Sequence, residues 1–362
     1  MPETRPLIIL VHGLGLKKGE IDESTKWTNA LLRNLETEPL FKAAEIRMAY
    51  YSPELHPEVH VAAPTPGGQR RAEGDAGSAG TPELEDSVLD AIADLYLMDR
   101  RQPLAARAAE NAARGARGDT LVPLPELDLQ PDDEYRAFVR DVLKYFALGH
   151  RLSVNAKLTE ALKGSAGRPV LLLTHSLGTV VTYDVLSAGN DYRIDSWVTM
   201  GSPLGYVQDI QRRLPELITH LKPEYVVKVA ELGAKGEAAI AWASDAIGNV
   251  KEKLGHLVPF GRRGTVDTEP TMYALPAPAF PDAKVERWYN IFDPHDPVAA
   301  PRFVGDPTLS DEYLSDGRPR VYDLSIKNPG DGPHSIVGYL EILQTGWLVK
   351  DFLLRSAAGA RS

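Results

Sequence analysis

Two apolar runs stand out along the chain, PLIILVHG (Pro6 to Gly13) and PVLLLTHS (Pro169 to Ser176). Neither alternates with polar residues, which is the pattern of strands buried on both faces of a parallel sheet. EIRMAYY, IDSWVTMGS, VERWYNIFD and RVYDLSI read as four further strands. Between and after them, apolar positions recur at helical spacing in ESTKWTNALLRNLE, GTVVTYDVLSA and SIVGYLEILQTGWLVKDFLLR. The last reads as one continuous helix. Strands alternating with amphipathic helices predict an α/β fold with a mainly parallel sheet.

Two segments exceed what a minimal domain of this class needs. Residues 53–130 hold APTPGGQRRAEGDAGSAGTPE, a Gly/Pro/Ala-rich loop, followed by an Ala-rich helical stretch from Glu83 to Arg117. Residues 206–283 are helical at their centre and end in the proline-rich YALPAPAFPDAK. Each leaves the chain after a predicted strand, so both are expected to be cap or lid insertions in one domain spanning 1–362. In the second, Ile240, Ala243, Ile247, Val250, Leu254 and Leu257 form a stripe spaced by threes and fours. The stripe suits packing on its own domain or a wall over a site.

Composition narrows the class. The 362 residues are 43% hydrophobic, enough for a large core, and there is no cysteine, which removes disulfides, thiolate metal sites and a cysteine nucleophile. A net charge of −10 gives no help toward nucleic acid or an anionic membrane. No run of about 18 apolar residues is present, and the start has no signal-peptide pattern, so a cytoplasmic protein without a transmembrane segment is expected.

Candidate chemistry centres on LLLTHSLGTVV, Leu171 to Val181. A strand, a tight turn and a helix follow one another there, with Ser176 at the tip. Such an elbow needs small residues two before and two after the serine, because strand and helix backbones approach closely. Gly178 satisfies this, and Thr174 is a short-side-chain variant at a position of steric tolerance. A serine hydroxyl needs a base held by an acid, and on an elbow of this type the chain order is Ser, then Asp or Glu, then His. Downstream, WYNIFDPHDPVAAP carries Asp293 and Asp296, and NPGDGPHSIVGYL carries His334 just before a helix. Backbone N–H groups of Leu177 and of Leu14, in the turn after the first strand, are the expected oxyanion hole.

At these residues the chain resembles α/β-hydrolases, and among them it is similar to lipase-like and GPI-inositol-deacylase-like serine esterases. The resemblance is carried by His12-Gly13-Leu14-Gly15, Thr174-His175-Ser176-Leu177-Gly178, Gly201-Ser202-Pro203-Leu204-Gly205, Asp296-Pro297-Val298 and His334. It implies the α/β-hydrolase fold, a sheet whose strand order reverses beside the nucleophile, no cofactor, and acyl transfer to water from a small-molecule ester or lipid. The chain departs from the family in Thr174, in both insertions, and in starting at the strand before the oxyanion turn, so the family's first two strands are expected to be missing. The family's usual acid precedes a short apolar segment, as Asp296 precedes PVAAP. Asp296 is therefore preferred, with Asp293 the alternative, while Asp331 is assigned to shaping its loop.

Other histidines have plainer roles. His12 is expected to bond locally in the oxyanion turn, His175 to point away from Ser176, and His295 to be a solvated loop residue. GLGLKKG lacks dinucleotide-loop spacing, and HPEVH (His56 to His60) is not a zinc motif and contains Pro57. A thioesterase or amidase would use the same triad. A binding or regulatory protein with an inert triad, or one whose insertions dock on lipid, are rivals of other classes.

Overall fold

The computed structural model describes residues 5–13, 19–35, 39–56, 87–96, 133–147, 150–188, 191–207, 210, 220–221, 284–299 and 321–359. The chain divides into two compact units. One comprises Met1–Ser52, Arg151–Asp209 and Leu275–Ser362, the other Pro53–His150 and Ile210–Ala274.

The first unit is built on six strands, β1 (Leu7–Val11), β2 (Glu45–Ala49), β3 (Val170–His175), β4 (Ser196–Met200), β5 (Trp288–Phe292) and β6 (Val321–Ser325). All neighbouring pairs are parallel, in the order β2-β1-β3-β4-β5-β6. The fold is therefore α/β with a parallel sheet, and the six strands fall on the six segments the sequence predicts. β1, β3 and β4 are buried along their whole length, as uninterrupted apolar runs require. The order reverses between β1 and β3, and in open α/β sheets ligands bind beyond the carboxyl ends of the strands at such a reversal.

Helices cover both faces. α1 (Glu20–Leu35), α2 (Pro39–Ala43), α5 (Ile336–Glu341) and α6 (Leu343–Gly359) lie on one face, α3 (Arg151–Ala161) and α4 (Leu177–Ser187) on the other. The first face joins Ile8, Leu10, Leu171, Leu173, Val198 and Ile291 of the sheet to Trp27, Leu31, Tyr339 and Phe352 of the helices. Each such large side chain contributes roughly 1.5–3 kcal/mol on burial. The second face carries Trp197 stacked on Trp288, with ring centroids 3.9 Å apart. On the same side, buried Asp184 of α4 accepts from Arg151 Nε and Nη2 (2.6 and 2.8 Å) and Asn155 Nδ2 (2.6 Å), tying α3 to α4.

One expectation is corrected. The last helical segment is two helices, because Ile342 between α5 and α6 is extended, with φ −70° and ψ 146°. The break frees carbonyls, and Asn34 of α1 takes them up. Its Nδ2 donates to Glu341 O at 2.7 Å and Ile342 O at 3.3 Å. Apolar periodicity runs through the break and cannot reveal a cap supplied from the other end of the chain.

In the second unit, residues 87–96 and Asp133–Ala147 are helical. Arg136–Asp94 (2.6 Å) and Arg140–Asp90 (3.4 Å) ion pairs run in opposite chain directions, so these two helices are antiparallel. The remainder of the Ala-rich stretch, the apolar stripe from Ile240 to Leu257, YALPAPAFPDAK and His60 lie outside the described residues. No helix among the described residues is long and apolar enough to cross a membrane.

Candidate active site

Ser176 joins β3 directly to α4. Its φ of 52° is the one positive value at a non-glycine residue among the described residues, and its ψ is −131°. L-residues avoid this region, so the turn is held by its surroundings. Ser176 N donates to Met200 O at 3.1 Å, and Ser176 O accepts from Thr179 N (2.9 Å) and Thr179 Oγ1 (2.8 Å). Backbones crowd beside it. A Cβ on Gly178 would sit 2.4 Å from the His12 carbonyl oxygen and 2.5 Å from that of Val11. A Cβ on Gly13 would sit 2.6 Å from Ser176 Cβ, so the end of β1 lies against the serine.

Thr174 fits where a glycine is usual because the chain gives its hydroxyl partners. Thr174 Oγ1 donates to Val198 O (3.2 Å) and accepts from Trp197 Nε1 (2.9 Å).

The loops after β5 and β6 bring an acid and a base together. His334 Nδ1 is 2.8 Å from Asp296 Oδ2 and 2.9 Å from Oδ1. The carboxylate is fully buried and accepts three other hydrogen bonds, from Val298 N (2.9 Å) and Ala299 N (3.2 Å) at Oδ1 and from Tyr339 OH (2.8 Å) at Oδ2. An ionised carboxylate only accepts, so the proton between the two groups sits on Nδ1, and neutral His334 has its lone pair at Nε2. His334 Nε2 and Ser176 Oγ are both buried and have no hydrogen-bond partner among the described residues. A buried polar atom without a partner is costly, so each of these two carries a desolvation penalty that no protein hydrogen bond offsets.

Asp293 has a different task. It is buried, and its carboxylate accepts from Asn328 N (2.7 Å) and His295 N (2.8 Å). Asn328 in turn holds the loop that carries His334, donating through Nδ2 to Pro333 O and Ser335 O. The structure thus brings His334 to Asp296 and ties Asp293 to the base of the His334 loop. Asp331 is exposed.

Three further residues support the Asp296–His334 pair, and of these Tyr339 lies outside every motif singled out in the sequence. Tyr339 of α5 accepts from Asp293 N at 3.0 Å and donates to Asp296 Oδ2, so its hydroxyl links both aspartates. Burial first, then the Asp296 charge, push this phenol far above its ordinary range, so it remains a donor. His175 is turned toward α1, where the Trp27 ring is 6.5 Å away, and packs on His334 with ring centroids 4.6 Å apart. Its Nε2 donates to the His334 carbonyl oxygen at 3.0 Å, so it steadies the base. Gly201, at the end of β4, has φ +55°, and a Cβ there would lie 2.9 Å from Asp296 Oδ2 and 3.1 Å from the His334 ring.

His12 is bonded locally. Tyr51 N donates to its Nε2 (3.0 Å), so the ring proton is on Nδ1, which donates to Gly13 O (2.8 Å). Tyr51 OH donates to the His12 carbonyl oxygen and its ring stacks on the imidazole at 4.0 Å. Leu177 opens α4, so its N–H belongs to the turn that lacks intrahelical acceptors. Leu14 lies outside the described residues. Exposed His295 lies 3.1 Å from Asp293 through Nδ1. Among the described residues no group of three His, Cys, Asp or Glu side chains is placed to hold a metal ion. Compared with protein families, with curated proteins and with solved structures, the chain matches none.

Proposed function

We propose that this chain is a serine hydrolase with the α/β-hydrolase fold, cleaving carboxylic esters of small molecules or lipids through a Ser176–His334–Asp296 triad. One observation carries the reading. At the carboxyl edge of a parallel sheet, a strained serine with an unpartnered Oγ accompanies a histidine whose Nδ1 is fixed on a buried carboxylate and whose Nε2 is unpartnered.

His334 Nε2 takes the Ser176 proton as Oγ attacks the acyl carbon. Asp296 keeps the lone pair at Nε2 and stabilises the imidazolium that forms. The Leu177 N–H, at the positive end of α4, faces the developing oxyanion, and Leu14 N–H is the second donor of this scheme. Imidazolium then returns the proton to the leaving alkoxide, and water hydrolyses the acyl-enzyme by the same route. Ser176 Oγ and His334 Nε2 are not hydrogen-bonded to each other, and in this scheme they come together when substrate binds. Thioesters and amides would pass through the same acyl-enzyme, and no observation favours them over oxygen esters.

A fluorophosphonate probe is expected to label the chain once, at Ser176, and Ser176→Ala to abolish labelling. A series of p-nitrophenyl esters of increasing acyl length is then expected to be hydrolysed by the wild type only. Labelling at another residue, or ester hydrolysis that survives Ser176→Ala, rules the triad out.

A further inference from the structure

The hydroxyl of Tyr339 touches the loop after β5 at two points. It accepts the Asp293 N–H at 3.0 Å and donates to Asp296 Oδ2 at 2.8 Å. Since a backbone N–H can only donate, the direction of the relay is fixed: Asp293 N–H to Tyr339 O, Tyr339 O–H to Asp296 Oδ2. Oδ2 is also the oxygen closer to His334 Nδ1, at 2.8 Å. Oδ1 is held from the other side by Val298 N and Ala299 N. The carboxylate is thus clamped at both oxygens, and the Tyr339 clamp acts on one of the two oxygens within hydrogen-bond distance of the base.

The tyrosine is buried completely and anchored as well. It stands in the first-face core on α5, and its own carbonyl oxygen accepts from Thr345 Oγ1 at 2.6 Å. Its hydroxyl therefore has little freedom to leave Oδ2.

Resting on the serine-hydrolase reading, we infer that Tyr339 is a positioning residue that sets both the aim and the basicity of His334 by sharing Asp296 Oδ2. A donor on Oδ2 draws charge away from one of the oxygens that face the imidazole. Without it, Oδ2 bears more charge, favours the imidazolium and holds the base protonated to higher pH. The carboxylate also gains freedom to turn about its Cβ–Cγ bond, which loosens the aim of Nε2 at Ser176. The other titratable groups facing the pair are Asp293 and His175. The latter approaches Tyr339 with ring centroids 5.9 Å apart. Substitution at position 339 alters neither titratable side chain, although it removes the acceptor of the Asp293 N–H.

The test compares Tyr339→Phe with the wild type, full-length, by the pH profile of kcat/KM on a p-nitrophenyl ester and by the downfield proton resonance of the Asp296–His334 hydrogen bond. The acidic limb is expected to move up by about half a pH unit, kcat to fall on the order of tenfold with KM nearly unchanged, and the resonance to titrate with the same upward shift. If Tyr339→Phe does not fold, site-specific 3-fluorotyrosine at position 339 keeps the hydroxyl, makes it a stronger donor, and moves limb and resonance down instead. A folded variant with an unmoved limb and an unmoved resonance overturns the inference while Ser176 labelling keeps the hydrolase reading intact. A wild type that labels nowhere, with a resonance that still shifts, overturns the hydrolase reading and leaves Tyr339 without a catalytic consequence, which overturns the inference too.

Discussion

Replacing Asp296 by Asn changes one oxygen to an amino group in a side chain whose surroundings are all donors. The wild-type carboxylate accepts from Val298 N, Ala299 N, Tyr339 OH and His334 Nδ1. An amide offers one accepting oxygen, so it has two ways to sit. With oxygen toward His334 and Tyr339, its NH₂ opposes two buried backbone N–H groups, at about 1–3 kcal/mol each. With oxygen toward Val298 and Ala299, its NH₂ takes the Oδ2 place, 2.8 Å from Nδ1, and the two groups avoid opposed hydrogens there when Nδ1 is the acceptor. The imidazole proton moves to Nε2, and the base has no lone pair for Ser176. This second arrangement strands only the Tyr339 O–H, so it is preferred by about 1–3 kcal/mol, which leaves roughly one molecule in five to one in 160 with a usable base. Those molecules also lack the negative charge that stabilises imidazolium. The combined loss in kcat is expected on the order of 10³ to 10⁴, as when a triad carboxylate is made neutral elsewhere.

Asp293→Asn perturbs a different pair of contacts. It weakens the hold on Asn328 N or on His295 N but leaves the tautomer of His334 alone. Its expected cost is about tenfold in kcat and about 1–3 kcal/mol in stability. Initial rates on a p-nitrophenyl ester, normalised to fluorophosphonate-titrated sites and paired with a thermal melt for each variant, compare the two directly. If Asp293→Asn is the more damaging to kcat in folded protein, or Asp296→Asn keeps more than about a tenth of the activity, the tautomer argument is wrong.

Two further outcomes follow from the hydrogen bonds around the sheet. Thr174→Val keeps the shape at the elbow but strands the Trp197 Nε1–H, so urea unfolding should show a loss of about 1–3 kcal/mol, and Thr174→Gly should destabilise as well rather than restore an ideal elbow. Asp195, whose Oδ2 accepts from Val170 N at 2.8 Å, has its carboxyl pushed above the ordinary range, by burial first and by the neighbouring Glu286 charge as well. A raised folded value means that the folded state holds the proton longer than the unfolded chain, so stability falls as pH rises through that window. Asp195→Asn keeps an oxygen for Val170 and carries no charge. It should raise the unfolding midpoint at about pH 7 and bring no gain at about pH 3, and an equal gain at both would remove the charge from the explanation.

How far the sequence reaches depends on the range of the interactions. Strands were legible because a buried parallel strand is written in its own five or six residues. LIILV and VLLLTH need no partner to be recognised. That Asp296 and His334 meet is a contact between successive loops of the kind that strand ends in a parallel sheet bring to one edge. Contacts between distant residues were not legible in this local way. Nothing near Ile342 shows that Asn34 will end a helix there, and the apolar period continues across the break. His175 was expected to point away from Ser176; its support of His334 is visible only once the loop after β6 has come back over β3. The two aspartates illustrate the limit most clearly. Asp293 and Asp296 are three residues apart in one loop, equally acidic and both buried. What separates them is whose hydrogen each oxygen receives: a backbone N–H of the next loop for one, the imidazole for the other. Tyr339, five residues after His334, comes into reach of both because about one turn of helix from Ile336 carries it back over the acid loop. Its hydroxyl then completes a network in which each buried acceptor has its donors. Only the serine oxygen and the imidazole nitrogen, the two atoms the proposed chemistry would join, stand in it without a partner among the described residues.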